Sequence, residues 1–131
     1  MKETHAYALF PGGFGTMDEG FEALTLMQTG KALIIPIVLI DRADGDYWET
    51  WMRFLTDHLL KQGLISEDVF NFIKIAHNVE DAVAEILNFY KVYQSSRWVD
   101  SQLVLRLSHR LTAAAVAGLN EEFASLLRSG K

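Results

Sequence analysis

A glycine-rich segment, Pro11-Gly12-Gly13-Phe14-Gly15-Thr16, stands between a short apolar run and the first helical pattern of this 131-residue chain. Because glycine has no side chain, the backbone of such a turn can approach a phosphate group closely. The free N–H groups and the positive dipole end at the start of a following helix favour an anion at the same place. The segment therefore indicates a phosphate-binding turn, and a tight turn with a purely structural role would use the same residues.

Glu19 follows Thr16 by three residues, and this spacing has two interpretations. In the first, Thr16 is the N-cap of the helix and Glu19 completes a capping box by accepting a hydrogen bond from the N-cap N–H. In the second, Glu19 is a carboxylate over the sugar of the ligand whose phosphate lies on the glycines. Residue types and spacing leave both interpretations open.

Two loops carry residues that could do other chemistry. Asp41, Asp44 and Asp46 surround Gly45, but the oxygen spacing and the terminal glutamate of a calcium loop are absent, so we predict a solvated loop. His77 follows a predicted strand at the ligand-facing edge, where it either lines the site or belongs to a loop beside a helix cap.

The remaining histidines and the tryptophans are not predicted to take part in chemistry. His5, His58 and His109 have no second ligand at metal spacing, and the chain has no cysteine, so no metal site is predicted. Trp48 and Trp51 are predicted to be core or interface aromatics.

The elements that would position these residues alternate between strand and helix, which predicts the α/β fold class with parallel strands and flanking helices. Buried strands are predicted at residues 6–10, 32–40 and 72–76. The helix after the glycine segment should begin at Thr16 and end before Gly30, and the helix after the third strand should begin at Asn78. Three parallel strands are few for a doubly wound sheet, so the chain is predicted to be the second half of a larger fold.

The pattern changes after residue 90. Residues 91–99 and 102–108 predict a β-hairpin around Asp100-Ser101, and Thr112 is predicted to cap a last helix. We therefore divide the chain into a partial sheet domain at 1–90, which carries the glycine segment, and a hairpin and helix extension at 91–131 packed on it.

Composition excludes several classes of protein. Half of the residues are hydrophobic and 22% are charged, which is typical of a globular domain. The net charge of −5 comes without the clustered Lys and Arg that a nucleic-acid surface needs. The longest apolar run, residues 32–40, is too short to span a bilayer, and the N-terminus shows no secretory pattern. These features predict a cytoplasmic protein with neither nucleic acid nor membrane as partner.

The glycine segment and Glu19 together carry a family resemblance. The string Pro11-Gly12-Gly13-Phe14-Gly15-Thr16-Met17-Asp18-Glu19 is similar to the P-G-G-x-G-T-x-x-E signature of the Lonely Guy phosphoribohydrolases, long labelled "possible lysine decarboxylase". The following Thr25-Leu26-Met27-Gln28-Thr29-Gly30-Lys31 also resembles that family. The resemblance covers roughly residues 1–90, and the hairpin and last helix resemble an extension of some bacterial members.

The resemblance implies a Rossmann-like nucleotide-binding fold that assembles as a homodimer or higher homo-oligomer. It implies hydrolysis of the N-glycosidic bond of a nucleoside 5′-monophosphate such as AMP to base and ribose 5-phosphate, with no cofactor and no metal. Glu19 would be the catalytic carboxylate, since an acidic side chain can stabilise an oxocarbenium-like state or orient the attacking water. By the same resemblance the phosphate or nucleotide would be bound by Gly12, Gly13, Phe14, Gly15 and Thr16.

One feature of the family pattern is missing. Members pair the glutamate with an arginine upstream of the signature, and the ten residues before Pro11 contain no arginine. We therefore expect a truncated member, in which strand 6–10 would become an open edge that a second copy covers. Two function classes follow: a phosphoribohydrolase that is active when complete, and a non-catalytic nucleotide-binding or oligomerisation module.

The label of lysine decarboxylase is not favoured by the residues. A pyridoxal phosphate enzyme needs a lysine in the site for the Schiff base. No lysine lies near the glycine segment in a context that suggests this role; those considered are Lys31, Lys61, Lys74 and Lys91.

Overall fold

A three-stranded parallel sheet lies at the centre of the computed structural model, which describes residues 4–126. The strands, in their order across the sheet, are β1 (Tyr7–Leu9), β2 (Ile37–Ile40) and β3 (Ile73–Ala76). In register, Tyr7 pairs with Ile37 and Ile37 pairs with Ile73. The parallel arrangement predicted from the alternation of strands and helices is confirmed.

One α-helix follows each strand of the sheet in the sequence, and an antiparallel hairpin and a last helix come after them. The helices are α1 (Phe14–Gln28), α2 (Tyr47–Phe54), α3 (Val79–Phe89) and α4 (Ala113–Glu122). A π-helical segment (Leu55–Leu60) continues α2, and short 3-10 helices lie at Glu67–Phe72 and Ala124–Leu126. The hairpin strands are β4 (Tyr93–Val99) and β5 (Gln102–Leu107). The fold class is therefore α/β, with a helix-flanked parallel sheet and a C-terminal hairpin and helix, as predicted.

Side chains of β2 alternate between two hydrophobic layers. Ile37 and Leu39 pack in the layer formed by α1, α2 and the π-helical segment, whereas Val38 and Ile40 pack in the layer formed by α3. All four residues are buried. This double burial explains why the β2 sequence is apolar at every position rather than at alternate positions.

The second strand is shorter than predicted. The expected strand covered residues 32–40, but only Ile37–Ile40 form β2. Pro36 has no N–H to donate to a neighbouring strand, although its carbonyl still accepts from the N–H of Tyr7 at 2.9 Å. Regular pairing of β2 therefore begins after the proline.

The start of α1 also differs from the prediction. Thr16 was expected to be the N-cap, but the N-cap is Gly13 and the helix begins at Phe14. Thr16 is the third helical residue, so the capping box of Thr16 and Glu19 does not form. The backbone is extended only up to Gly13, and the helical hydrogen bonds begin there, with the N–H of Met17 donating to the carbonyl of Gly13.

The other predicted helix boundaries are confirmed. Gly30 follows α1 with a φ of 69°, and the N–H groups of Gly30 and Lys31 donate to the carbonyls of Met27 and Leu26 in a Schellman motif. Asn78 caps α3 and Thr112 caps α4 through side-chain acceptors. No helix within residues 4–126 is both long enough and apolar enough to cross a membrane.

Candidate functional site

The glycine turn connects the carboxyl end of β1 to α1 and leaves backbone donors at the start of the helix. Gly13 is extended, with φ −94° and ψ −153°, and no side chain caps the helix. The first helical hydrogen bond runs from the N–H of Met17 to the carbonyl of Gly13 at 3.2 Å. The N–H groups of Phe14, Gly15 and Thr16 precede that bond and have no carbonyl within the helix to donate to. The turn can therefore offer several N–H groups to one anion.

Position 12 has little room for a side chain. A Cβ at Gly12 would overlap Oγ1 and approach Cβ of Thr16, whose side chain folds back over the turn. A Cβ at Gly13 or Gly15 would meet no atom within 4 Å, so these two positions face open space. Phe14 is 97% exposed and likewise leaves the approach to the turn clear of packed side chains.

A buried carboxylate organises the loop after β2. Asp41 is 7% exposed, and its two carboxylate oxygens accept from the N–H groups of Arg42 at 2.8 Å and Tyr47 at 2.9 Å. A Cβ at Gly45 would overlap this carboxylate, so glycine is required there. The solvated loop predicted for Asp41 is therefore wrong for that residue, although the side chain of Asp44 is 84% exposed.

Tyr47 joins this loop to the glycine turn. Its hydroxyl donates to the carbonyl oxygen of Gly12 at 2.5 Å, across 35 positions of sequence. The loops after β1 and β2 are thus connected directly at the edge of the sheet where ligands of parallel α/β proteins bind.

A cleft of about 650 Å³ lies between these two loops and α2. Its walls are mostly apolar, with aromatic rings from α2 and a charged rim from the loop after β2. The residues that line it are Pro11, Met17, Asp41, Arg42, Gly45, Asp46, Tyr47, Thr50, Trp51 and Phe54.

Glu19 is exposed and does not line this cleft. Met17 does line it, and residues two apart on a helix point in nearly opposite directions. The pKa of the Tyr7 phenol is raised by partial burial and by the negative charges of Glu19 and Glu22. Since the capping box is absent, that interpretation of Glu19 is wrong, and its catalytic role stays a prediction.

His77 connects the loop after β3 to the loop after β2 and to α2. Its Nδ1 lies 3.1 Å from the carbonyl oxygen of Arg42, and its Nε2 lies 3.0 Å from Oε1 of Glu49. The hydrogen bond to Arg42 raises the pKa of His77 most, desolvation opposes this shift, and the charges of Glu49 and Asp41 add to it. Only the imidazolium can donate from both nitrogens. His77 therefore holds loops together at the ligand-facing edge and is absent from the lining of the cleft.

Comparison with known proteins places these elements in one family. Residues 1–86 match the sequence model of the family described as "Possible lysine decarboxylase". The chain belongs to this family. The Lonely Guy label derives from the same family, so the resemblance seen in the glycine segment and Glu19 is confirmed. No curated protein sequence matches the chain.

Within the part of the chain that matches the possible lysine decarboxylase family lie the glycine turn, the cleft and His77. Trp48 is also there and is 1% exposed, with its indole N–H donating to the carbonyl of Ile40 at 3.2 Å. Trp51 is 8% exposed and belongs to the same buried cluster as Trp48, so both tryptophans are core residues, one of the two outcomes predicted for them. Across residues 4–126, no group of three or more His, Asp and Glu side chains is placed to hold a metal ion.

Tyr47 and the structural role of Asp41 were missed in the sequence. A signal for Asp41 exists, since an acidic residue directly after a fully apolar strand lies at the edge where site residues gather. For Tyr47 no local signal exists, because its partner Gly12 is far away in the sequence.

Proposed function

We propose that this member of the possible lysine decarboxylase family binds a nucleoside 5′-monophosphate and belongs to a phosphoribohydrolase that releases the base and ribose 5-phosphate. The observation that carries the proposal is the start of α1, which follows a glycine turn and has no side-chain cap. Backbone N–H groups and the helix dipole at such a start favour a phosphate. The similarity of residues 11–19 to the Lonely Guy signature adds the expectation of a nucleotide ligand.

Glu19 is the residue proposed for catalysis. In the reaction the bond between C1′ of the ribose and the base nitrogen breaks, the oxygen of water bonds to C1′, and a proton of that water leaves with the base. Positive charge develops on the sugar as the bond breaks, and a carboxylate can stabilise it or orient the water. Glu19 is available for this role because it is exposed and is not part of the helix cap.

The position of Glu19 suggests where the sugar would lie. The phosphate would occupy the N–H groups at the start of α1, and the ribose would extend over the exposed side of α1 that carries Glu19. The cleft beside Tyr47 lies on the other side of the helix start, so we do not assign the ribose to it.

Turnover of AMP tests the catalytic part of the proposal. Adenine release is measured by chromatography for the 131-residue chain and for a version extended upstream through the family's arginine. We expect the extended version to hydrolyse AMP and its Glu19→Gln variant to be about 100-fold slower, since a charge that meets the transition state is lost. Glu22→Gln is the matched control, because Glu22 lies one turn later on α1 and its charge also reaches Tyr7.

The outcomes separate the two function classes. An extended Glu19→Gln variant as fast as its parent would remove Glu19 from the mechanism. Robust hydrolysis by the 131-residue chain, dependent on Glu19, would show that the upstream arginine is dispensable. An extended version that binds AMP without turning it over would favour the non-catalytic module.

Assembly as a homo-oligomer is part of the proposal and is supported by exposed apolar surface. Among the described residues β1 pairs with β2 alone, Ala8 of β1 is exposed, and α4 has no buried residue. Trp98 of the hairpin is 70% exposed and Phe123 after α4 is 45% exposed. A second copy of the chain would bury exposed apolar side chains of this kind. Light scattering at micromolar concentration should give a dimer or larger species, and a monodisperse monomer would contradict this part.

A further inference from the structure

Two hydrogen bonds in series connect a buried carboxylate to the glycine turn. Asp41 accepts from the backbone N–H of Tyr47 at 2.9 Å, and the hydroxyl of Tyr47 donates to the carbonyl of Gly12 at 2.5 Å. Asp41 is 7% exposed and therefore fixes the backbone of Tyr47 from within the protein. The side chain of Tyr47 is fixed as well, because its ring meets the ring of Trp48 edge-on at a centroid distance of 4.8 Å.

The bond from Tyr47 determines the orientation of one peptide group. The peptide between Gly12 and Gly13 is trans, so its C=O and N–H point in opposite directions. When Tyr47 holds the carbonyl oxygen of Gly12, the N–H of Gly13 points away from Tyr47. Without such a bond two successive glycines would sample many backbone conformations.

We propose that Tyr47 is a positioning residue for the glycine turn, and that the buried Asp41 sets Tyr47 in place for this task. The inference rests on the proposed function, in which the turn binds phosphate. Tyr47 acts through Gly12 and does not touch the phosphate. A turn that already has its bound conformation loses less conformational entropy when the ligand arrives, and so binds more tightly.

A single substitution separates the hydrogen bond of the Tyr47 hydroxyl from the packing of the Tyr47 ring. Tyr47→Phe keeps the ring against Trp48 and removes only the hydroxyl. Tyr90→Phe is the matched control, because the Tyr90 hydroxyl donates to the carbonyl of His5 at 2.6 Å, before the amino end of β1, whereas the turn follows the carboxyl end of that strand. Each variant loses one tyrosine bond to a backbone carbonyl.

Two measurements are made on the full chain by NMR. The first is the amide resonance of Gly13 without ligand, and the second is the Kd for inorganic phosphate and for AMP from the glycine amide shifts. For Tyr47→Phe we expect a moved Gly13 resonance and a Kd raised about 5-fold, the equivalent of one ordinary hydrogen bond. Tyr90→Phe should leave the Gly13 resonance in place and the Kd within about 2-fold of the parent.

A second variant extends the test to the carboxylate. Asp41→Asn retains one oxygen, so only one of the N–H groups of Arg42 and Tyr47 can keep its acceptor. We expect the Gly13 resonance to move in the same direction as in Tyr47→Phe. If Asp41→Asn does not fold, Tyr47→Phe still decides the matter, because it leaves the buried carboxylate intact.

Failure of this inference differs from failure of the proposed function. If the parent chain binds phosphate and Tyr47→Phe binds it equally well, Tyr47 has no positioning role. If the parent shows no shift with millimolar phosphate or AMP, phosphate binding by the turn is wrong. In that case the test of Tyr47 is the Gly13 amide resonance without ligand. If this resonance is the same in Tyr47→Phe as in the parent, Tyr47 does not position the turn.

Discussion

The starts of α1 and α3 occupy equivalent places in the sheet but are built in opposite ways. Each helix follows a parallel strand at the same edge. At α3 the side chain of Asn78 accepts from the N–H of Asp81 at 2.7 Å and donates to its carboxylate at 2.8 Å, and Glu80 also lies in the first turn. At α1 the N-cap is Gly13, no side chain caps the helix, and the first turn has no acidic residue.

The two helix starts differ in whether side chains of the protein pair with the free backbone N–H groups there. Carboxylates in the first turn of α3 complement the positive end of its dipole, and Asn78 satisfies one of its free N–H groups. The start of α1 has neither, so its N–H groups and dipole are left for water or for an anionic ligand. Two helix starts at one edge thus have different electrostatic characters, and only that of α1 suits a phosphate.

Of the substitutions at the two helix starts, a change of Gly12 should have the largest effect on stability and on phosphate binding. Gly12→Ala forces the new methyl group against the side chain of Thr16 and should lower the free energy of unfolding by about 1–3 kcal/mol, as overpacking does. Phosphate binding should weaken as well, because the turn must move. Thermal denaturation and phosphate titration measure the two effects.

Gly15→Ala is the control for that substitution. Its methyl group meets no atom, and alanine is the better helix former by about 0.5–1 kcal/mol, so the melting temperature should rise. A Gly12→Ala variant as stable as the parent would contradict the close contact with Thr16.

Giving α1 a charged cap should convert it into a helix start like that of α3. A side chain at Gly13 has room, since a Cβ there meets nothing. Gly13→Asp should cap the helix and repel phosphate, raising the phosphate Kd about 10-fold with little change in stability. Gly13→Asn caps the helix without charge and isolates the electrostatic part. Equal weakening by Asp and Asn would show that charge is not the cause.

Removing the cap of α3 should affect stability alone. Asn78→Ala leaves the N–H of Asp81 without its acceptor and should cost about 1 kcal/mol in the free energy of unfolding, measured in urea. Phosphate binding at the glycine turn should be unchanged. A loss of phosphate affinity in Asn78→Ala would mean that the two helix starts are not independent.

The same two regions show how far the sequence predicts the structure. The parallel sheet and the caps Asn78 and Thr112 are readable from the sequence, because apolar periodicity and N-cap preference are local properties. The start of α1 was mispredicted, because Thr16 is the better N-cap by residue type. Contacts of Gly12 with Thr16 and Tyr47 accompany the earlier start, and the second of these spans 35 positions. No local pattern contains that information.

The smallest predicted effect concerns His77, which lies directly before the cap of α3 and bonds to the loop that carries Asp41. The pKa of His77 is raised in the folded protein, chiefly by its hydrogen bond to the carbonyl of Arg42. A raised pKa means that the protonated form stabilises the fold. This stabilisation is fully present below the unfolded pKa of about 6.5 and is lost as the pH rises through the higher folded pKa.

The melting temperatures of the parent and of His77→Ala should therefore differ more at pH 5.5 than at pH 8.5. The effect is small, because the histidine side chain is 41% exposed and solvent weakens its charge interactions. Glu49→Gln removes the charge at the other ring nitrogen and should reduce this pH dependence without abolishing it, since the bond to Arg42 remains. A difference between parent and His77→Ala that is the same at both pH values would show that His77 joins the two loops as a neutral ring, and that its protonation has no part in holding the edge of the sheet together.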